Sequence, residues 1–416
     1  MRRKLKQADG KVVIGNEFWD REDDIRILTE RIDNGAHQLL VAQRRMGKTS
    51  LLKEIARRLD DRYICLFVDL QQAKDPADAI AEISASLIPH KKLWTKTKDL
   101  FSNIFKAAKD AVDTVEVCEV KIRLRAGLTA GNWTDRGDSI FDLLAQSEKP
   151  VLLMLDEVPV MICRMLRGES RQITPDRRAA TDEFMSWLRK SSLRHQGTVR
   201  IILSGSIGLE PVLHQAGLSA TINNFVPYEL KPWDTETSLG CLAALSSQYG
   251  IRLGPGAAEA VVGCLGCCIP HHVQMFFRYI HEHCVRRKQK VFSANDVDKV
   301  YQIEMLGIHG HVELTTYEER LELILSKDQF PLALEMLTES AVIGCLTPEA
   351  LEAFQQLYVF QGTPSVQVLR EILHVLEHDG YFKRTSKGYV FVSNLLREWW
   401  GKRHSAFYVP VLQRGS

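Results

Sequence analysis

A loop of eight residues between two apolar patterns constrains this chain more than any other feature. The loop, Ala42–Thr49, reads AQRRMGKT; it follows the apolar run Leu39–Val41 and precedes a helix-patterned run, Ser50–Leu59. A phosphate-binding P-loop requires this strand–loop–helix setting, because its backbone N–H groups and the helix N-terminus then point at one anion. The sequence therefore predicts an α/β fold with an anion site after its first strand.

The residue types in this loop match phosphate chemistry, with one departure. Lys48 is expected to reach the β- and γ-phosphates, and Thr49 to ligate Mg²⁺. The usual pattern is G-x-x-x-x-G-K-[ST], and Ala42 stands at the first glycine. Alanine can replace glycine where φ stays negative, so the motif is retained as a prediction, against a chance GKT. The residues predicted to contact nucleotide here are Arg44, Arg45, Met46, Gly47, Lys48, Thr49 and Ser50.

A second apolar run ends in two carboxylates. Val151–Leu155 is apolar throughout, as in a parallel strand covered on both faces, and Asp156 and Glu157 follow it. Ligands of open α/β sheets bind at this end of the strands. Asp156 is therefore predicted to hold Mg²⁺ through water, and Glu157 to orient or deprotonate an attacking water.

A third strand pattern, Arg200–Leu203, ends in Ser204-Gly205-Ser206. Ser206 is predicted to touch the γ-phosphate or the attacking water. The alternative is that its hydroxyl caps a helix that starts near Ile207, a role that serine also serves well.

Four segments together resemble one known family. FWDRE at Phe18–Glu22, then RRMGKTSLL, LLMLDEVP and ILSGSIGLEPVL, are similar to the archaeal-type ATPases, P-loop NTPases of the STAND and AAA+ group. The resemblance covers roughly residues 14–305, and the remainder is similar to the winged-helix tail of many members. It implies a five-stranded parallel α/β sheet, an α-helical lid and a winged helix. The expected divisions are 1–20, a core at 21–231 with an insertion at about 90–128, a lid at 232–306 and a winged helix at 307–416.

The resemblance also implies roles for residues outside the loop. Phe18 and Trp19 precede the first helix, where family members contact the adenine; packing of that helix on the sheet is the alternative. Arg189 stands near the place of an arginine that meets the γ-phosphate, with a solvated helix charge as the alternative. His271, at the start of a lid helix, is the candidate nucleotide sensor.

The insertion carries two patterns of its own. Lys91–Lys109 is basic and helix-like, with apolar positions at Leu93, Leu100, Ile104 and Phe105. An amphipathic helix packed on the domain is expected, with a membrane or partner contact as the alternative. From Cys118 to Arg125, apolar and charged residues alternate, which predicts a half-exposed strand.

The tail reads as three helices and a hairpin. Helices are expected at Pro331–Ala341, from Thr347 and from Ser365, and the hairpin at Gly380–Phe391. Acidic residues on the third helix oppose phosphate binding, so a DNA role and an intramolecular or protein-binding role both remain open. The candidate contact residues are Arg370, Lys383, Arg384 and Lys387.

The composition limits the number of domains and the classes of partner that this chain can have. The 416 residues are 45% hydrophobic with a net charge of +2, enough for two or three domains and without a global field that would attract nucleic acid or membrane. No apolar run reaches membrane-spanning length and no signal peptide is recognisable, so a cytoplasmic location without membrane contact is expected. Nine scattered cysteines favour reduced thiols. For the Cys/His cluster at 264–284, buried thiols and surface histidines are expected, with zinc binding as the alternative.

These observations predict an ATP-binding and ATP-hydrolysing switch, slow or partner-stimulated, that uses ATP and Mg²⁺. Nucleotide state is expected to control lid closure, assembly of a homo-oligomer or a partner. The first alternative is a DNA-binding ATPase that uses the winged helix, and the second is a scaffold that does not hydrolyse ATP.

Overall fold

The structure is a computed structural model that describes residues 5–102 and 117–414. Its contacts divide the chain into two units. The first contains the N-terminal residues to Asp20, the loop Ala42–Ser50 and everything from Leu230 onward. The second contains Arg21–Val41 and Leu51–Glu229. Helices and strands are numbered below in chain order along the described residues.

The second unit is built on a parallel five-stranded sheet. The strand order is β2-β3-β4-β1-β5, and every neighbouring pair is parallel. β3 is buried along its whole length, which explains its continuous apolar sequence. The predicted five-stranded α/β fold is confirmed. The strands are β1 (His37–Val41), β2 (Ile64–Asp69), β3 (Val151–Asp156), β4 (Val199–Ser204) and β5 (Phe225–Glu229).

Helices connect these strands, as parallel pairing requires. Two of them begin with a capping side chain and a proline in the first turn: Asp75 accepts from the N–H of Asp78, and Thr174 from that of Arg177. The helices are α1 (Glu22–Asp33), α2 (Lys48–Leu59), α3 (Pro76–Ala85), α4 (Lys91–Leu100), α5 (Val117–Ala126), α6 (Trp133–Ala145), α7 (Val158–Arg167), α8 (Pro175–Arg194) and α9 (Leu209–Gln215).

The strand predicted at 118–125 is wrong, because this segment forms α5. Val120 and Leu124 lie one helical turn apart and are buried together, while Arg125 pairs with Asp75 and Asp78 at the start of α3. Packing against α3 thus selects a helix although the local pattern alternates. The rest of the predicted basic helix, with Ile104, Phe105 and Lys109, lies outside the described residues.

In the first unit, helices follow the sheet's last strand. The N-terminal segment lies on α12: the N–H of Ala8 donates to the Gln274 side chain, and Asp9 pairs with Arg278. The elements are α10 (Thr235–Tyr249), α11 (Ala257–Leu265), α12 (Pro270–Arg286), α13 (Ala294–Val300), a π-helical turn (Tyr301–Met305) and the short parallel strands β6 (Arg252–Leu253) and β7 (Val291–Phe292).

One helix of the tail precedes the predicted winged helix, which contains three consecutive helices and an antiparallel hairpin. Thr347 caps the second of these helices as expected, by accepting from the N–H of Ala350. A further helix after the hairpin buries Trp399 and Trp400. The elements are α14 (Ile308–Ile324), α15 (Gln329–Ile343), α16 (Pro348–Leu357), α17 (Ser365–His378), β8 (Phe382–Thr385), β9 (Gly388–Phe391) and α18 (Asn394–His404).

The four-part division of the chain stays a prediction, since the two contact units cut across it. Within the described ranges, no helix is both long enough and apolar enough to cross a membrane.

Candidate nucleotide-binding site

The P-loop folds around its own lysine. α2 begins at Lys48, whose Nζ donates to the carbonyl oxygens of Ala42 and Gln43, each at 2.8 Å. Two loop residues adopt the left-handed conformation: Arg45 with φ +67° and Gly47 with φ +85°. The loop therefore places a buried ammonium group at the start of a helix, the charge arrangement that binds phosphate.

Alanine in place of the first glycine creates no backbone strain. Ala42 is not among the residues with positive φ, so a Cβ is tolerated there. Gly47 is different, because its φ of +85° favours glycine although a Cβ would meet no atom within 4 Å. The prediction that Ala42 is a permitted variation therefore agrees with the backbone.

Other predicted loop residues contact the rest of the first unit. Met46 is buried, and the Ser50 hydroxyl accepts the N–H of Val13 at 3.1 Å. Arg44 lies close enough to the buried phenols of Tyr317 and Tyr381 to interact with them electrostatically. Thr49 follows Lys48 in the first turn of α2, half-buried.

Arg45 is held by two elements far away in the sequence. Its Nη2 donates to Oε2 of Glu313 on α14, and its carbonyl oxygen accepts the N–H of His271, at the start of α12, at 3.4 Å. His271 Nε2 lies 3.4 Å from the same Glu313 oxygen. The hydrogen bond from His271 and the positive charge of Arg45 lower the pKa of Glu313 to about 2. His271 thus lies beside the loop, while Glu313 was not a sequence candidate.

The two aromatic candidates pack within the first unit. Phe18 is buried. The Trp19 indole donates to the Thr237 carbonyl oxygen at 3.3 Å and lies against Gly240 of α10. Trp19 thus packs on α10 and not on the first helix, α1, while contact of either ring with a base stays a prediction.

In the second unit, polar residues gather where β2, β3 and β4 end. Asp69 stands opposite Asp156 in the β2–β3 register, and Leu40 of β1 stands opposite Ser204 of β4. The Asp156 carboxylate is buried; its Oδ1 accepts the Ser204 hydroxyl at 2.5 Å and the N–H of Glu157 at 3.1 Å. Ser204 thus positions Asp156, a role that the sequence reading assigned to no residue.

Glu157 and Ser206 contact each other directly. Glu157 Oε2 accepts both the N–H of Ser206 at 3.0 Å and its hydroxyl at 2.8 Å. Glu157 itself has φ +59°. Gly205 makes the approach possible, because a Cβ there would lie 2.4 Å from Pro159 Cδ.

The alternative role for Ser206, as a helix cap, is not what the structure shows. α9 begins later than expected, at Leu209, and its N-cap is Gly208 without a capping side chain. The Ser206 hydroxyl is engaged by Glu157 instead.

The remaining candidates lie on other elements. Arg189, half-buried on α8, donates to the Ala220 carbonyl oxygen in the second unit. Arg370 is exposed on α17, and Lys383, Arg384 and Lys387 are exposed on the β8–β9 hairpin.

The Cys/His cluster at 264–284 shows no metal geometry in the described part of the chain, where no three His, Cys, Asp or Glu side chains are placed to share an ion. Burial raises the pKa of the Cys267 thiol to about 11. Desolvation of this kind disfavours the thiolate that a metal would need.

The candidate residues therefore form two groups. In the first unit the loop residues, His271 and Glu313 are together; in the second, Asp156, Glu157, Ser204 and Ser206 are together. The chain itself joins the two, because β1 ends at Val41 and Ala42 follows it directly. Thr49 and Asp156 offer hydroxyl and carboxylate oxygens, the ligand types that Mg²⁺ prefers.

Comparison with known proteins identifies the fold. The chain matches no protein-family model, and no curated protein is significantly similar to it. Among solved structures it is similar to a Walker-type ATPase of Pyrococcus abyssi, with a TM-score of 0.61 and 16% identity over 95% of this chain and 98% of that one.

It is also similar to the ORC2 protein of Aeropyrum pernix, solved as ADPNP–ADP complexes, with a TM-score of 0.52 and 13% identity over 92% of this chain and 91% of that one. At such identities the similarity concerns the fold alone. The chain has the fold of the AAA+ P-loop ATPases.

Proposed function

We propose that this protein binds ATP with Mg²⁺ at the Ala42–Thr49 loop and hydrolyses it slowly as a molecular switch. The observation that carries the proposal is Lys48, a buried lysine at the start of α2 whose Nζ is directed at the loop's own carbonyl oxygens. The Aeropyrum pernix protein of similar fold was solved with ADPNP and ADP, which supports nucleotide as the ligand.

The residues present suit phosphoryl transfer to water. Lys48 and the helix N-terminus would neutralise the phosphates, and Thr49 with Asp156 would hold Mg²⁺. Glu157 would orient or deprotonate the attacking water, with Ser206 holding its carboxylate in position. Mg²⁺ when bound would supply charge neutralisation for the leaving phosphate.

The test separates binding from hydrolysis. Lys48→Ala should weaken binding of a fluorescent ATP analogue at least about tenfold, because a buried charge-assisted contact to phosphate is lost. Glu157→Gln should keep that affinity and lower turnover by about 10²–10⁴-fold. Binding is measured by fluorescence titration and turnover by phosphate release.

Lys53→Ala is the matched control, since Lys53 is an exposed lysine on the same helix, with its ammonium 4.9 Å from the Phe67 ring centre. It should change neither quantity. Equal ATP turnover in the wild type and in Lys48→Ala would overturn the P-loop assignment, and absence of any ATP binding would leave the scaffold alternative.

The wing favours a second candidate, a DNA-binding ATPase. Lys383, Arg384 and Lys387 are exposed on one hairpin, and no carboxylate of the described residues forms an ion pair with them. The neighbouring α17 contributes little positive charge, because the charge of Arg370 is offset by the adjacent carboxylate of Glu371. Gln329 and Gln367 both donate hydrogen bonds to that carboxylate. Any DNA contact would therefore depend on the wing and on phosphates.

A further inference from the structure

Three side chains from three separate segments of the first unit meet beside the P-loop. Arg45 from the loop and His271 from α12 both face one oxygen of Glu313 on α14. The side chains of Arg45 and Glu313 are 26% and 27% exposed, and that of His271 is 9% exposed. Partial shelter from water makes such a cluster stronger than a surface ion pair.

Neighbouring residues of the loop are held by the tail as well. The Gln43 side chain lies against Gly380, where an added Cβ would be 2.0 Å from Gln43 Cδ. Tyr381, next to this glycine, donates its hydroxyl to the carbonyl oxygen of Tyr317 on α14 at 2.7 Å. The conformation of the loop and the place of α14 are therefore coupled through direct contacts.

The Glu313 carboxylate is chemically equivalent to what a P-loop binds. Guanidinium and imidazole groups recognise carboxylate and phosphate oxygens through the same charge-assisted hydrogen bonds. We infer that Glu313 is an internal anion that occupies a phosphate-binding position formed by Arg45 and His271, so that nucleotide phosphates compete with it and release α14. This inference rests on the proposed function and adds its regulation.

Glu313 keeps its charge across the physiological range. The neighbouring His271 lowers the pKa of Glu313 most, burial opposes this, and the charge of Arg45 lowers it further, to about 2. The other facing group, His272, is fully buried with its pKa lowered to about 3, and so it is neutral near pH 7. A carboxyl pKa lowered this far keeps Glu313 ionised except in strong acid, so it remains an anion for which a phosphate can substitute.

Linkage makes the coupling reciprocal. If Glu313 lowers the affinity for nucleotide by a given factor, nucleotide must weaken the hold of Arg45 on α14 by the same factor. ATP binding at the loop and mobility of α14 should therefore change together.

The experiment removes the negative charge of the Glu313 side chain and keeps its shape. Glu313→Gln should bind a fluorescent ATP analogue with Mg²⁺ at least about fivefold more tightly than the wild type. Glu318→Gln is the matched control on the same helix, because Glu318 pairs with Arg403 at 2.7 Å instead of with the loop. It should leave the affinity unchanged.

Hydrogen exchange of the α14 amides gives a second readout. ATP should accelerate exchange in the wild type, whereas Glu313→Gln should exchange rapidly without ATP. Two results would overturn the role of Glu313 as an internal anion and leave the proposed function standing. One is an ATP affinity of Glu313→Gln equal to or weaker than that of the wild type. The other is α14 exchange that does not change when ATP is added. If neither the wild type nor either variant binds ATP, the proposed function itself is wrong, and with it the competition between Glu313 and nucleotide.

Discussion

At the residue scale, two strained residues stand next to the predicted chemistry. Arg45 and Glu157 both have left-handed backbones, at φ +67° and +59°. Such a conformation costs a residue with a side chain roughly 1–2 kcal/mol and persists only where surrounding contacts override it. Glu313 supplies those contacts for Arg45, and Ser206 supplies them for Glu157.

One histidine in the sheet, His37, should make the stability of the fold depend on pH. His37 of β1 is buried; its Nε2 bonds to the Ser192 carbonyl oxygen at 3.0 Å, and its Nδ1 accepts the N–H of Ile201 at 3.1 Å. Nδ1 can accept only when the ring is neutral. Desolvation lowers the pKa of His37, opposed by the hydrogen bond to Ser192.

Stability should therefore fall in mild acid. The unfolded chain binds a proton near pH 6.5 and the folded chain binds it only at lower pH, so the contribution of His37 is complete above about pH 6.5. Below that pH it declines by at most about 1.4 kcal/mol per pH unit until the folded pKa is reached. Denaturant unfolding of the wild type and of His37→Asn between pH 8 and 5 measures the difference. Parallel pH profiles for the two proteins would contradict this account.

At the element scale, the wing carries three exposed cations, Lys383, Arg384 and Lys387. β8 and β9 pair in register from Phe382–Phe391 to Thr385–Gly388, which places Lys387 in the turn at the tip and Lys383 and Arg384 along β8. Hairpin pairing thus fixes the wing by backbone contacts, while the side chains of Lys383, Arg384 and Lys387 stay exposed to a ligand.

If the wing binds DNA, removing its charge should weaken binding at every sequence alike. For the triple variant Lys383→Ala, Arg384→Ala and Lys387→Ala, affinity for a DNA duplex should fall, and the slope of log K against log salt should flatten by up to about 0.9 per lost phosphate contact. Fluorescence anisotropy at several salt concentrations measures both quantities.

The segment after α12 offers a charge-matched control in Arg287, Lys288 and Lys290, three exposed cations outside the wing. Their triple alanine variant should keep the affinity and the salt slope of the wild type. An identical loss in both triple variants would mean that only overall charge matters, and an unchanged slope in the wing variant would remove the wing from any DNA site.

Element prediction from sequence succeeded where one local signal agreed with packing. Thr347-Pro348 starts α16 because a capping hydroxyl and a proline both favour a helix N-terminus. The alternating pattern at 118–125 predicted a strand and was wrong, because Val120 and Leu124 could also meet on one face of a helix against α3. Only the neighbouring element distinguishes these outcomes.

At the scale of the whole molecule, the two units divide the chemistry. Lys48 and Arg45 group with the C-terminal elements, and the carboxylates Asp156 and Glu157 group with the sheet. The predicted chemistry thus has a cationic part in one unit and a carboxylate part in the other.

Assembly is the whole-molecule property that ATP should change. Arg189 donates to a backbone carbonyl oxygen, that of Ala220, and so a phosphate could replace this partner at low cost. P-loop ATPases complete the γ-phosphate site with an arginine from the same or a neighbouring subunit. Glu157→Gln with ATP should sediment as a larger species than without ATP, and adding Arg189→Ala should restore the smaller one. Identical sedimentation with and without ATP would count against a nucleotide-dependent oligomer.

The sequence by itself determined what depends on near neighbours along the chain. The Ala42–Thr49 loop, the buried β3 strand with Asp156 and Glu157 at its end, and the Ser206 turn could all be predicted, because strand, turn and helix signals lie within a few residues of the chemistry.

Only the tertiary structure decided what depends on distant partners. Glu313 stands 268 residues from the arginine that it holds, and no periodicity or motif links two such positions. Ser204 likewise positions Asp156 only because β3 and β4 are adjacent in the sheet. Side-chain pairing across long separations is set by packing of complete elements, which is why the loop could be predicted and the group that restrains it could not.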